Sequence, residues 1–137
     1  MRNAFVNQLE TFVAKDERVI LLVGDIGFGV FENFQKKFPN KFINMGIAEQ
    51  NMISVASGLA KEGFRPVVYT IIPFLTMRGF EQIRVDLCMH DRNVLLVGVG
   101  GGFSYDILGP THHALEDMQL CVLCLICKFT RQEHPVN

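Results

Sequence analysis

The sequence predicts an α/β fold built on an open, mostly parallel sheet flanked by helices. Three observations carry that prediction. The runs "RVILLVGD", "RPVVYTII" and "NVLLVGVG" are continuous stretches of leucine and β-branched residues, the pattern of strands buried on both faces of a parallel sheet. The segments between them place apolar residues at helical spacing, so strands alternate with crossover helices. The chain has 137 residues, 49% hydrophobic and 20% charged, which suffices for one domain with a real core and is too short for two ordinary ones.

Taken in order, "RNAFVNQLETFVAKD" sets Phe5, Leu9, Phe12 and Val13 on one face of a first amphipathic helix. "RVILLVGD" is the first buried strand, closed by Gly24. "FENFQKKFPN" is a short helix stopped near Pro39, and "KFINMG" a second short strand. "AEQNMISVASGLAKEG" gathers Met52, Val55, Ala56 and Leu59 on one helical face and stops at Gly63. After the strand "RPVVYTII", "FLTMRGFEQIRVDLCMHD" predicts a longer helix interrupted by Gly79, with Phe80, Ile83, Leu87 and Cys88 at helical spacing. "NVLLVGVG" is a strand that runs into a glycine-rich loop, and "THHALEDM" opens a further helix with Thr111 as its N-cap. In open parallel sheets ligands sit beyond the carboxyl ends of the strands, which singles out four loops: 25–29, 45–49, 71–74 and 98–113.

Charge and composition narrow the partners. A formal net charge of −1 with no Lys/Arg cluster argues against nucleic acid or a membrane surface, since phosphate binding needs concentrated positive charge. The first residues carry Glu10, Lys15, Asp16 and Glu17 among the apolar ones, unlike a signal peptide, and no stretch reaches transmembrane length. Only Cys88 of the four cysteines lies outside the tail, so the expectation is a reducing cytoplasm rather than a disulfide-stapled secreted domain. Small molecules and other protein surfaces are the expected partners.

Several residues at the ligand edge admit two readings. Glu49 begins a helix directly after a strand; it either complements the helix dipole or does chemistry. His112 and His113 are adjacent, so on a helix they would diverge by roughly 100° and could not easily share a metal. No HxxxH or HExxH pattern is present, and no metal site is expected. One of the two imidazoles should face a cleft. "GVGGGF" matches neither GxGxxG leading into a helix nor GxxxxGK[ST], so no phosphate is placed there. Phe74 is either a core aromatic at a helix start or part of the ligand edge.

Together, "GDIGFG", "NMGIAEQNMISVASGLAKEG", "FLTMRGFEQIR" and "GGGFSYDILGPTHHALED", in this order, make the chain resemble the pyrimidine-binding domain of the transketolase family of thiamine diphosphate enzymes. The likeness runs from the first helix to Asp117 and is closest to the C-terminal chain of transketolases split in two. It implies the thiamine diphosphate-binding fold and transfer of a two-carbon ketol unit between sugars or sugar derivatives. Glu49 matches the family glutamate that bonds the aminopyrimidine ring and promotes the proton transfer that makes the thiazolium carbon nucleophilic. A carboxylate suits that role because it can share or donate a proton. Phe74 matches the aromatic on which the pyrimidine stacks, His112 matches a histidine near the reacting carbons, and Asp25 lies in a loop that faces the cleft. The diphosphate and Mg²⁺ belong to a separate domain with a GDG-type motif that this chain lacks. The implied partner is therefore a diphosphate-binding N-terminal subunit, in a hetero-oligomer or dimer. The related alternatives are a deoxyxylulose-phosphate synthase-like subunit and a 2-oxo-acid dehydrogenase beta-type subunit. A third, of another class, is a cofactor-free dimerisation module.

The sequence also departs from the family. Transketolases acting on sugar phosphates commonly carry histidine where Gly100 stands and aspartate where Leu108 stands, so the usual pentose phosphates are not the expected substrates. After Asp117 the family continues with a pattern like "IAVMRALPNMQIYSPG", and the observed "MQLCVLCLICKFTRQEHPVN" shares none of it. Read one base out of register, the codons for this tail permit "AVMRALPNMQIY" at every step. The expectation is a domain of residues 1–117, incomplete at its C-terminus, followed by an out-of-frame tail of residues 118–137. Its product should leave a sheet edge and an apolar face open and be inactive by itself. On this account Cys121, Cys124 and Cys127 are by-products of the shift and no iron–sulfur ligands, for which a fourth cysteine and a suitable loop would be needed.

Overall fold

The computed structural model describes residues 2–122, so Cys124, Cys127 and most of the tail lie outside the described residues. The chain folds as α1 (Arg2–Lys15), β1 (Val19–Val23), α2 (Glu32–Lys37), β2 (Phe42–Asn44), α3 (Glu49–Lys61) and β3 (Arg65–Ile71). A helical segment over 74–88 follows, in which the short α4 (Phe80–Gln82) sits between wider π-type turns at Phe74–Arg78 and Ile83–Cys88. β4 (Leu95–Val99), 3₁₀ turns at Asp106–Leu108 and Pro110–His112, and α5 (Asp117–Val122) complete it. The four strands form one sheet in the order β2-β1-β3-β4, and every pairing is parallel.

Burial follows from the strand period of two. Val19, Leu21 and Val23 of β1 join Val67 and Tyr69 of β3 in one core with α1 and α2, where Val6, Leu9, Val13, Phe31 and Phe34 close over them. Ile20, Leu22 and Val68 point the other way, into a second core with Met52, Ile53 and Ala56 of α3 and Leu75, Ile83, Leu87 and Cys88 of the 74–88 segment. The inner strand β1 is buried at every position, as its unbroken apolar run requires. β2 and β4 are the outer strands among the described residues, and both are only partly covered.

Gly79 explains its own place inside the helical segment. A Cβ there would lie 2.2 Å from Ile53 Cδ1 and 2.8 Å from the Leu75 carbonyl oxygen, so the residue's absence of a side chain is what lets α3 pack so closely. Across the same contact Ser54 Oγ donates to Asp86 Oδ2 (2.5 Å) and Ser57 Oγ to the Asp86 carbonyl (2.8 Å). At the opposite edge of the sheet Asp16 accepts from Arg18 Nε (2.9 Å) and Nη2 (2.8 Å), and Arg65 Nε stands 3.4 Å away. The Arg18 hydrogen bonds hold this carboxyl well below the usual carboxylate range.

Two local expectations are corrected. The buried stripe of α1 is Val6, Leu9 and Val13; Phe12 is 53% exposed and Phe5 half-buried, because the stripe that meets the sheet is centred about one residue away from the aromatic pair. Thr111 is no N-cap and "THHALEDM" opens no helix there: Pro110–His112 is a single 3₁₀ turn and α5 begins only at Asp117. The antiparallel bridge between Gly102 and Ala114 diverts the backbone, with N–H groups donating both ways at 3.1 and 3.0 Å.

Phe12 borders a groove of about 400 Å³ with Leu9, Val67 and Leu95, and Leu95 is itself 55% exposed. Truncation costs should track these environments. Phe34→Ala, in a fully buried site, is expected to lower unfolding stability by about 3–5 kcal/mol, and Phe12→Ala by less than about 1 kcal/mol. Urea unfolding of the two variants checks the difference.

Candidate functional site

Because all four strands are parallel, their carboxyl ends share one edge, and the loops 25–29, 45–49, 71–74 and 98–113 all emerge there. Three of the four residues singled out from the sequence form one connected group at that edge; Asp25 belongs to another.

Glu49 is the first residue of α3 and is 1% exposed. A carboxylate that merely complements a helix dipole does so from the surface; burying one requires partners. Two are present. Thr70 Oγ1, at the end of β3 and itself buried, donates to Glu49 Oε1 at 3.3 Å, and Arg78 Nη1 donates to Oε2 at 2.6 Å. Arg78 also lies over the Phe74 ring, 4.3 Å from guanidinium carbon to centroid. Phe74 in turn meets the His112 imidazole at 5.0 Å between centroids and 74° between planes, and Tyr105 approaches His112 from 6.3 Å. The contacts therefore run Thr70–Glu49–Arg78–Phe74–His112–Tyr105 along the carboxyl edge.

His112 and His113 separate, although no helix carries them: His112 ends a 3₁₀ turn and His113 is extended. His112 turns toward Phe74, with Thr111 Oγ1 at 2.9 Å from its Nδ1, while His113 stacks edge-on against Phe103 and sits 3.3 Å from the Asp106 carbonyl. Among the described residues no group of three His, Cys, Asp or Glu side chains gathers that could hold a metal ion.

Asp25 takes a left-handed backbone (φ 53°), and its contacts lead to Asn44 rather than to Glu49. Asn44 Nδ2 donates to Asp25 Oδ1 (3.0 Å), while Asn44 Oδ1 accepts from the N–H groups of Asp25 (3.2 Å) and Gly46 (3.0 Å). One amide thus ties the loop after β1 to the loop that carries Glu49. In the glycine-rich loop a Cβ on Gly100 (φ 78°) would come within 2.1 Å of the Tyr105 ring. Tyr105 fills the space that a side chain at position 100 would need.

Sequence reasoning missed Arg78, Thr70, Asn44 and Tyr105. Arg78 had a visible signal, since it stands four residues after Phe74 in a predicted helix and such pairs share a face. The others depend on strand register and loop path, with Thr70 paired to Gly98 and Asn44 to Val23.

The arrangement offers a flat aromatic, a buried carboxylate with a guanidinium donor, and an imidazole, all at one sheet edge. That set suits a planar, hydrogen-bonding heterocycle better than a phosphate or a metal ion. Among the described residues no helix is long and apolar enough to cross a membrane.

Comparisons with known proteins give the family. The chain is 35% identical over 118 residues to an apulose-4-phosphate transketolase subunit of Phocaeicola vulgatus, covering 85% of this chain and 38% of that protein. It is 40% identical over 116 residues to 1-deoxy-D-xylulose-5-phosphate synthase of Oleidesulfovibrio alaskensis, covering 83% of this chain and 18% of that protein. A solved split-gene transketolase, described as an inactive beta4 tetramer, superposes with a TM-score of 0.76 at 34% identity, over 88% of this chain and 38% of its own. The chain thus spans well under half the length of these relatives. The family model for the transketolase pyrimidine-binding domain matches residues 1–131, and the chain belongs to that family.

Proposed function

We propose that this chain is the pyrimidine-binding part of a two-chain transketolase-like transferase, seating the aminopyrimidine of thiamine diphosphate on Phe74 and Glu49. The observation that carries the reading is the buried Glu49 carboxylate, held at the carboxyl edge of the sheet within one side chain of an aromatic platform. When bound, the cofactor supplies a carbon nucleophile for transfer of a two-carbon ketol unit between sugars or sugar derivatives. The chain's own residues orient it. Phe74 offers a stacking face, Glu49 shares a proton with the ring, Thr70 fixes the carboxylate rotamer, and His112 stands beside the platform toward the reacting carbons. Asp25, through Asn44, holds two loops of the cleft together.

The diphosphate and its Mg²⁺ are assigned to an N-terminal subunit carrying the family's diphosphate motif, so the active form is a hetero-oligomer working in the cytoplasm. The matched relatives that are subunits of split transketolases support this assembly. Gly100 and Leu108, with Tyr105 packed against the former, weigh against the usual pentose-phosphate substrates of transketolases. The match to a deoxyxylulose-phosphate synthase supports the runner-up, a deoxyxylulose-phosphate synthase-like subunit. The connected group from Glu49 to His112 weighs against a cofactor-free dimerisation module. The same reading keeps the domain at residues 1–117 and the tail 118–137 out of frame; an intact in-frame DNA sequence across Asp117 would overturn that boundary.

Three outcomes check the reading. With the diphosphate subunit, thiamine diphosphate and Mg²⁺, Glu49→Ala should lower the rate of ketol transfer by about 10²–10⁴-fold, the range for losing a positioned proton-transfer group; an unchanged rate removes the proton-sharing role. His112→Ala should lower kcat more than it weakens cofactor binding, because the reading assigns the imidazole to the substrate; equal cofactor affinity with unchanged kcat would strike it from the site. Gly100→His should be destabilised by about 1–3 kcal/mol in urea unfolding, since the new side chain must expel Tyr105.

A further inference from the structure

Arg78 makes both of the contacts that the proposed heterocycle would make. Its guanidinium is flat, delocalised and rich in N–H donors, and it lies 4.3 Å over Phe74 while donating to Glu49 Oε2 at 2.6 Å. An aminopyrimidine is likewise flat and carries an N–H donor. It would need the same ring for stacking and the same carboxylate for hydrogen bonding. We propose that Arg78 and the aminopyrimidine exchange for a single seat, so that the guanidinium swings off Phe74 and Glu49 as the ring comes in. The inference rests on the assignment of Glu49 and Phe74 to the cofactor and adds a competitor to it.

The surroundings determine which group moves. Glu49 and Thr70 are buried at 1% exposure each and are fixed by α3 and β3. The Arg78 side chain is 39% exposed and has a solvent side to move into. A buried carboxylate that loses its cation needs a replacement partner, and the incoming ring supplies one at Oε2 while Thr70 keeps Oε1. Each partner thus covers for the other, and the carboxylate is not left bare. The measured affinity for the ring is then the difference between two partners for one seat, so weakening Arg78 strengthens the ligand.

Thiamine is the probe, because it presents the aminopyrimidine without the diphosphate that another domain would bind. Calorimetric titration of thiamine into the full chain should show Arg78→Gln binding on the order of tenfold more tightly than the unsubstituted chain. Arg78→Lys keeps the cation and loses the flat face, so it should fall between the two. Glu49→Gln and Phe74→Ala should bind more weakly. If Arg78→Gln does not fold, as read by circular dichroism, Arg78→Lys carries the comparison. Equal or weaker binding by the Arg78 variants, with Glu49→Gln and Phe74→Ala still impaired, overturns the exchange and leaves the seat where it is. Unimpaired binding by Glu49→Gln and Phe74→Ala, or no binding by any form, overturns the seat itself and the exchange with it.

Discussion

Everything in this molecule depends on the requirement that a parallel strand be followed by a crossover. Antiparallel neighbours can be joined by a two-residue turn, but parallel ones need a dozen or more residues to return to the same edge. That requirement places helices over both faces of the sheet and makes β1 apolar at every position. It also brings every strand-to-helix loop out at one edge. Glu49, Phe74 and His112, which are far apart in the chain, become neighbours there because they follow different strands of the same sheet.

Within that edge the costliest element is the Glu49 carboxylate. Removing one member of a buried ion pair typically costs about 3–5 kcal/mol, because the other is left without compensation. Arg78 is the compensating cation, and its guanidinium also lies over the Phe74 ring. The pairing thus joins charge to the aromatic platform, and the turn geometry of the 74–88 segment, pressed close to α3 by Gly79, holds the two in reach.

The strands and the helix carrying Glu49 were legible because long apolar runs and helical spacing report burial directly. The Thr111 helix was not. Its sequence has an N-cap residue and good spacing, yet the bridge between Gly102 and Ala114 imposes another path, a long-range constraint that local propensity cannot express. The aromatic stripe of α1 misled for a related reason: hydrophobicity says that Phe12 favours burial, while the docking angle of the helix decides whether it is covered. The family likeness singled out Glu49, Phe74 and His112 without showing what holds them.

By itself the sequence determined the α/β class, the order of elements, the ligand edge and the residue types available there, because these follow from composition and from periods of 2 and 3.6 residues. Only the tertiary structure decided that Glu49 is buried and paired, that Arg78 bridges it to Phe74, that His112 rather than His113 faces the platform, and that Tyr105 fills the space beside Gly100. The physical reason is that contacts between residues distant in the chain depend on strand register and on how loops close. Neither leaves a periodic trace in the sequence.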